Sequence, residues 1–190
     1  MTLSKQPKDI IIVGSGAIGI EFAYFYNSMG SNVTVVEYLD RIVPVEDHEI
    51  SKELEKNLKK NGINTLTSSE VEKAIVNESG LVEVHIKSAT GEQSTINTEI
   101  VLSAVGIKSN IENIGLEEIG IEIENDKILV DEFYETNVKG YYAIGDVVKG
   151  QALAHVASAE GILCIEKISG IYVTPLDYNN IPGCTYSSPE

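Results

Sequence analysis

Positive charge is scarce in this chain: 14 Lys and Arg stand against 29 Asp and Glu, for a formal net charge of -15 and a pI near 4.5. A surface that tracks a nucleic-acid backbone needs clustered Lys and Arg, so a nucleic-acid partner is not expected. The longest basic run, Lys59 and Lys60 beside Glu55 and Lys56, has the charge pattern of a solvated helix face. No run of 18 apolar residues occurs, which argues against a membrane span. The lysine-bearing segment Met1 to Asp9 is not followed by the apolar core of a signal peptide. A soluble, cytoplasmic protein is the expectation. Cysteine is scarce too. Cys164 and Cys184 lie too far apart for a redox CxxC or a zinc knuckle, and His48, His85 and His155 lack ligand spacing. No metal site is expected, and both cysteines read as free core or surface thiols. Low-complexity tracts and solenoid repeats are missing as well. With 190 residues, 43% of them hydrophobic, the chain can bury one good core and carry an appendage.

What is present begins with Asp9 to Val13, a β-branched apolar run of the kind buried on both faces of a parallel sheet. Ala17 to Met29 follows as a helix stopped by Gly30, and Val33 to Val36 is a second strand, completing a βαβ unit. Asp47 caps a predicted second helix with Ile50, Leu54 and Leu58 as its apolar stripe, Glu55 and Lys59 paired outside and Gly62 as its stop. From Val71 to Lys87 the period becomes two, broken by the turn Asn77 to Gly80, which predicts a hairpin or meander with His85 exposed on the polar face. Glu99 to Gly106 should return to the parallel sheet. Lys127 to Val130 and Tyr141 to Ile144 look like short strands, and Ala152 to Ile168 looks like a helix that tolerates Gly161. Thr174 to Glu190 reads as a linker.

The strongest chemical signal is Gly14-Ser15-Gly16-Ala17-Ile18-Gly19, a GxGxxG set between a buried strand and a helix. Gly14 permits the tight turn, Gly16 lets a pyrophosphate approach the backbone, and Gly19 allows close helix-on-strand packing, with the helix N-terminus facing the phosphates. Glu37 ends the second strand where a ribose 2′-hydroxyl is expected. A carboxylate there accepts from a diol and repels a 2′-phosphate, which favours NAD over NADP. Glu21 is either a ligand contact or simply an acid complementing the helix dipole. Gly145-Asp146 ends another strand-like run. On local grounds alone it is a turn with an exposed aspartate.

GSGAIGIEFA (14–23), VTVVEYLDRIVP (33–44), LSAVG (102–106), YYAIGDV (141–147) and LAHVASAEG (153–161) together resemble the consecutive motifs of the dihydrolipoamide dehydrogenases, within the pyridine nucleotide-disulfide oxidoreductase family. The resemblance implies an α/β fold: a Rossmann-like, three-layer dinucleotide-binding domain with a central parallel sheet and an antiparallel β-meander. It implies that Gly14, Gly16, Ala17, Ile18 and Gly19 hold the NAD pyrophosphate and Glu37 the adenine ribose. Val71 and Gly106 would add backbone contacts, and Glu21 would reach the nicotinamide carboxamide. Gly145 and Asp146 would meet the FAD ribityl chain, and the helix opening at Ala154 would point at the flavin. The implied division is 1–126 for the NAD domain, 127–172 for the C-terminal part of a split FAD domain and 173–190 for a linker into a dimerisation domain.

Where the family usually has an arginine after its LSAVG-like strand, this chain has Ile107 and Lys108. The family's FAD-binding GxGxxG, its CxxxxC disulfide and its His-Glu pair are not in the sequence, so no catalytic residue is assigned and the chain reads as a segment of a longer polypeptide. The intact enzyme would be a homodimer serving 2-oxo acid dehydrogenase complexes. This segment is expected to bind NAD or NADH weakly, to carry little or no FAD and to be inactive alone. Rival readings are another NAD(P)H-dependent flavin disulfide reductase or NADH oxidase, and a free-standing NAD-sensing module.

Overall fold

The computed structural model describes residues 3–190 and contains two compact units, one running to Gly106 and including Cys184–Glu190, the other Ile107–Gly183. In the first, strands β1 (Asp9–Val13), β2 (Asn32–Val36), β3 (Asn64–Leu66) and β7 (Ile100–Ser103) form a parallel sheet in the order β3-β2-β1-β7. Helices α1 (Ala17–Ser28) and α2 (His48–Lys60) cover one face. The antiparallel meander β4 (Ser69–Val76), β5 (Val82–Ser88) and β6 (Gln93–Thr98) covers the other.

Three layers explain why β1 is apolar throughout. Ile10 and Ile12 pack with Ile20, Ala23, Leu54 and Leu58 of the helices, while Ile11 joins Val36, Val84 and Ile86 on the meander side. Side chains alternate along a strand, so a strand with both faces covered needs hydrophobic residues at every position. Each fully buried isoleucine contributes roughly 1.5–3 kcal/mol. Strand β3 has no expectation in the sequence: Asn64–Leu66 is short, polar at its first two positions, and becomes a strand by pairing with Thr34 to Val36.

Helix α2 begins as expected, with the Asp47 carboxylate accepting from the amides of Glu49 and Ile50. Its inner stripe differs from the expected one. Ile50 is 61% exposed, and Ser51 turns inward with its hydroxyl donating to the Val43 carbonyl at 3.2 Å. The buried positions are 51, 54 and 58, a stripe that follows the 3.6-residue period from Ser51. Glu55 does pair with Lys59, at 2.8 Å, and also accepts from the Thr65 hydroxyl. His85 is half-buried rather than free. Its ring nitrogens lie 3.1 Å from Glu83 and 3.3 Å from the Thr95 hydroxyl across the strand pair.

In the second unit, β8 (Ile123–Glu124) pairs with β9 (Lys127–Ile128), and α3 (Ala154–Ile168) packs beside a single 3₁₀ turn, Gly145–Val147. Tyr141 to Ile144 is not a strand: it makes one bridge, Glu135 to Tyr142, and both tyrosines stay exposed. A strand needs a continuous ladder, and β-propensity alone does not supply a partner. Thr174 to Glu190 contains only the 3₁₀ turn Tyr178–Asn180. Cys164 is buried, Cys184 is exposed, and neither forms a disulfide. Among the described residues no helix is long and apolar enough to cross a membrane, and no cluster of His, Cys, Asp or Glu could hold a metal ion.

Candidate functional site: two glycine turns

Beyond β1 the backbone reverses at Gly14, which has φ +97 and donates its amide to the Val36 carbonyl at 2.8 Å. A Cβ on Gly14 would lie 2.5 Å from the Ala104 carbonyl oxygen, and one on Gly19 would lie 2.0 Å from the Gly14 oxygen. Two of the three glycines are therefore required by the protein's own packing. Gly16 is not. A Cβ there meets nothing within 4 Å, and its φ of -63 suits any residue.

Gly16 is also the N-cap of α1, which has no side-chain cap and no acidic residue in its first turn. The first amides of a helix lack intrahelical partners, so α1 presents donors and the positive end of its dipole beside a backbone kept free of side chains. Ala17 and Ile18, in that first turn, are exposed. This chemistry fits a phosphate.

Glu37 follows β2 and is 8% exposed. Its Oε2 accepts from the Ser15 amide at 2.8 Å and the Ser15 hydroxyl at 2.7 Å, and its Oε1 accepts from the Leu39 amide at 2.8 Å. A carboxylate offers about four acceptor positions. Three are filled by the turn itself, leaving one on Oε1 for a hydroxyl. Ser15, fully buried, is a site residue that the sequence reading passed over as a variable position of the fingerprint. The only sequence signal was a small hydroxyl residue between two glycines. Beside Glu37 a groove of about 550 Å³ is lined by Tyr38, Leu39, Ser68, Glu70 and Lys87.

Glu21 lies one residue past the first turn of α1, and its Oε1 accepts from the Tyr186 amide at 3.0 Å. Val71 is half-buried in β4 at a bulge, and Gly106 is exposed beyond β7 with φ +143. Within the glycine turn only Ser15 bonds to Glu37, and Gly14 bonds to the neighbouring Val36 carbonyl, while Val71 and Gly106 make no hydrogen bond with Glu37. Lys108, in the place where the arginine was expected, pairs with Glu112 on the surface. The hydrogen bond and charge of Glu112 raise the Lys108 pKa, and Lys108 in turn lowers that of Glu112.

The second turn, in the other unit, centres on Gly145, with φ +73. The Asp146 side chain is exposed, and its carbonyl accepts from Ser109 and Lys127. Ala154 opens α3, whose N-cap, Leu153, provides no side-chain bond.

A doubly glycine-pinned βαβ turn, an uncapped helix and a buried acid at the end of the next strand define a dinucleotide-binding α/β domain. The sequence matches the family described as pyridine nucleotide-disulphide oxidoreductase over residues 1–161, and the chain belongs to that family. It is 46% identical over 185 residues to dihydrolipoyl dehydrogenase of Rhizobium etli, covering 97% of this chain and 38% of the relative. It is 45% identical over 191 residues to the Bacillus subtilis dihydrolipoyl dehydrogenase, covering 100% and 40%. The crystal structure of LpdA from Mycobacterium tuberculosis superposes with a TM-score of 0.86 at 28% identity, covering 98% of this chain and 40% of that one. The chain thus spans about two fifths of the length of these relatives.

Proposed function

We propose that this chain is the NAD-binding part of a dihydrolipoyl dehydrogenase, together with a second segment of its FAD domain. The observation that carries the reading is Gly16, a glycine that the protein's own packing does not require, at the mouth of an uncapped helix. Gly14, Gly16, Ala17, Ile18 and Gly19 line the diphosphate position, and Glu37 takes one ribose hydroxyl on the open lone pair of Oε1. The carboxylate's charge disfavours a 2′-phosphate and so selects NAD. The groove beside Tyr38 and Leu39 receives the adenine, with Val71 and Gly106 as backbone neighbours, and Glu21 faces the nicotinamide end.

Residues 1–126 serve as the NAD domain, 127–172 complete an FAD domain, and 173–190 lead toward a dimerisation domain. FAD, when bound in the whole enzyme, supplies the two-electron path between a disulfide and the nicotinamide. This chain's part is to hold the nucleotide by its diphosphate and sugar, and to present Asp146 and the α3 N-terminus at Ala154 to the flavin side. The whole enzyme is read as a cytoplasmic homodimer that serves 2-oxo acid dehydrogenase complexes, and the segment alone as inactive.

Gly16→Ala tests the reading cleanly. The open space around Gly16 predicts only the small loss of stability expected when alanine replaces a glycine N-cap, with NADH affinity, measured by calorimetry, reduced tenfold or more, because the methyl group blocks the approach of the diphosphate. Equal affinity in the two proteins would remove the site.

A further inference from the structure

Glu160 is 1% exposed and has no part in the nucleotide site. It lies on α3, and each of its carboxylate oxygens is taken by a different segment. Oε2 accepts from the Gly145 amide at 2.6 Å, and Oε1 accepts from the Tyr178 hydroxyl at 2.6 Å. Tyr178 in turn meets the Tyr134 hydroxyl at 3.1 Å. The arrangement is over-determined around these bonds. Tyr134 is buried with φ +73, a backbone state that bulky residues adopt only when their surroundings hold them there. The Tyr178 ring lies so close to Gly150 that a Cβ there would be 2.9 Å from it. On the other side of the turn, a Cβ on Gly145 would press on Ala157 of α3 at 3.2 Å. A buried carboxyl group costs stability unless its oxygens are bonded, so the turn, the helix and the 3₁₀ segment at Tyr178 hold one another in place.

We propose that Glu160 is the positioning residue of the Gly145–Asp146 turn, coupling the docking of the Tyr178–Asn180 segment to the presentation of Asp146. The proposal rests on the reading that Asp146 faces the flavin. Burial, and after it the bonds to Glu160 and Tyr134, push the Tyr178 phenol above its ordinary range.

The test is amide hydrogen exchange in the 190-residue chain. Glu160→Met removes both acceptors and should speed exchange at Gly145 about tenfold or more. Glu160→Gln should restore it: the amide oxygen can accept from Gly145, while the NH₂ donates to Tyr178, whose proton then turns to Tyr134. Wild-type exchange at Gly145 in Glu160→Met would overturn the proposal. Should that variant fail to fold, Tyr178→Phe decides. Faster exchange at both Gly145 and Tyr178–Asn180 supports the coupling, and unchanged exchange at both refutes it. Flavin retention by the full-length holoenzyme separates the two readings. Undiminished flavin in Asp146→Ala defeats the flavin assignment and leaves the exchange result intact. Flavin lost in Asp146→Ala but fully kept in Glu160→Met defeats the positioning role alone.

Discussion

The two glycine turns share a device and differ in what it leaves open. In each, a buried glutamate accepts the amide of a turn residue: Glu37 holds Ser15 and Glu160 holds Gly145. Glu37 directly follows the strand beside the turn and keeps one acceptor position on Oε1 free. Glu160 comes from a helix, accepts one bond on each oxygen, from Gly145 and Tyr178, and at 1% exposure presents neither oxygen to solvent. The first carboxylate is thus suited to recognise a ligand, and the second to hold a shape. An acid near a glycine turn signals binding only if an acceptor position left over can be reached from outside the protein.

The largest effect that would sharpen this contrast lies in the glycines themselves. Gly14→Ala forces a methyl group to within 2.5 Å of a backbone oxygen at φ +97 and should lower stability by about 3 kcal/mol or more. Gly145→Ala meets only a side-chain methyl at 3.2 Å and should cost about 1–2 kcal/mol. Chemical denaturation of both variants would check the order, and an inverted order would show that the second turn is the more rigid.

Next comes Glu37→Gln. An amide cannot accept on both sides, so the Ser15 or the Leu39 amide loses its partner, and stability should fall by about 1–3 kcal/mol. The same change should narrow the preference for NADH over NADPH in calorimetric titrations. A preference left at its wild-type value would confine Glu37 to the structural role that Glu160 plays.

The smallest effect concerns Glu55. Burial raises its pKa, but the hydrogen bonds from Lys59 and Thr65 and the Lys59 charge outweigh this, and the pKa lies below the ordinary 4.5. A carboxyl group with a depressed folded-state pKa adds stability that is complete above its unfolded value and fades as pH falls through the folded one. Thr65→Val should therefore lower the unfolding free energy above pH 4.5 by no more than about a few tenths of a kcal/mol, measured by chemical denaturation, with the difference shrinking in more acidic solution. A difference that grew in acid would reverse the sign assigned to this pair.

Much of the first turn was legible because its parts are local. β1, the glycine spacing, α1 and the acid after β2 all fall within 29 residues, from Asp9 to Glu37, and each has its own propensity or steric reason. Leu54 and Leu58 of the expected α2 stripe are buried, but its first member is Ser51 rather than Ile50, because Ile50 outranks Ser51 in hydrophobicity and only the Val43 carbonyl shows why the serine points inward. β3 was missed because its pairing partner, not its composition, makes it a strand.

By itself the sequence determined the βαβ unit, the glycine fingerprint and the polarity of the Glu37 position, since these depend on short-range sterics and on residue types at close spacing, and the resemblance of its successive motifs pointed to the family. Only the tertiary structure decided that Ser15 consumes half of the Glu37 carboxylate, that Gly16 alone among the three glycines is left without a packing reason, and that Glu160 joins Gly145 to Tyr178. Those facts concern which lone pair or which empty volume remains once distant segments have met, and no pattern along the chain encodes them.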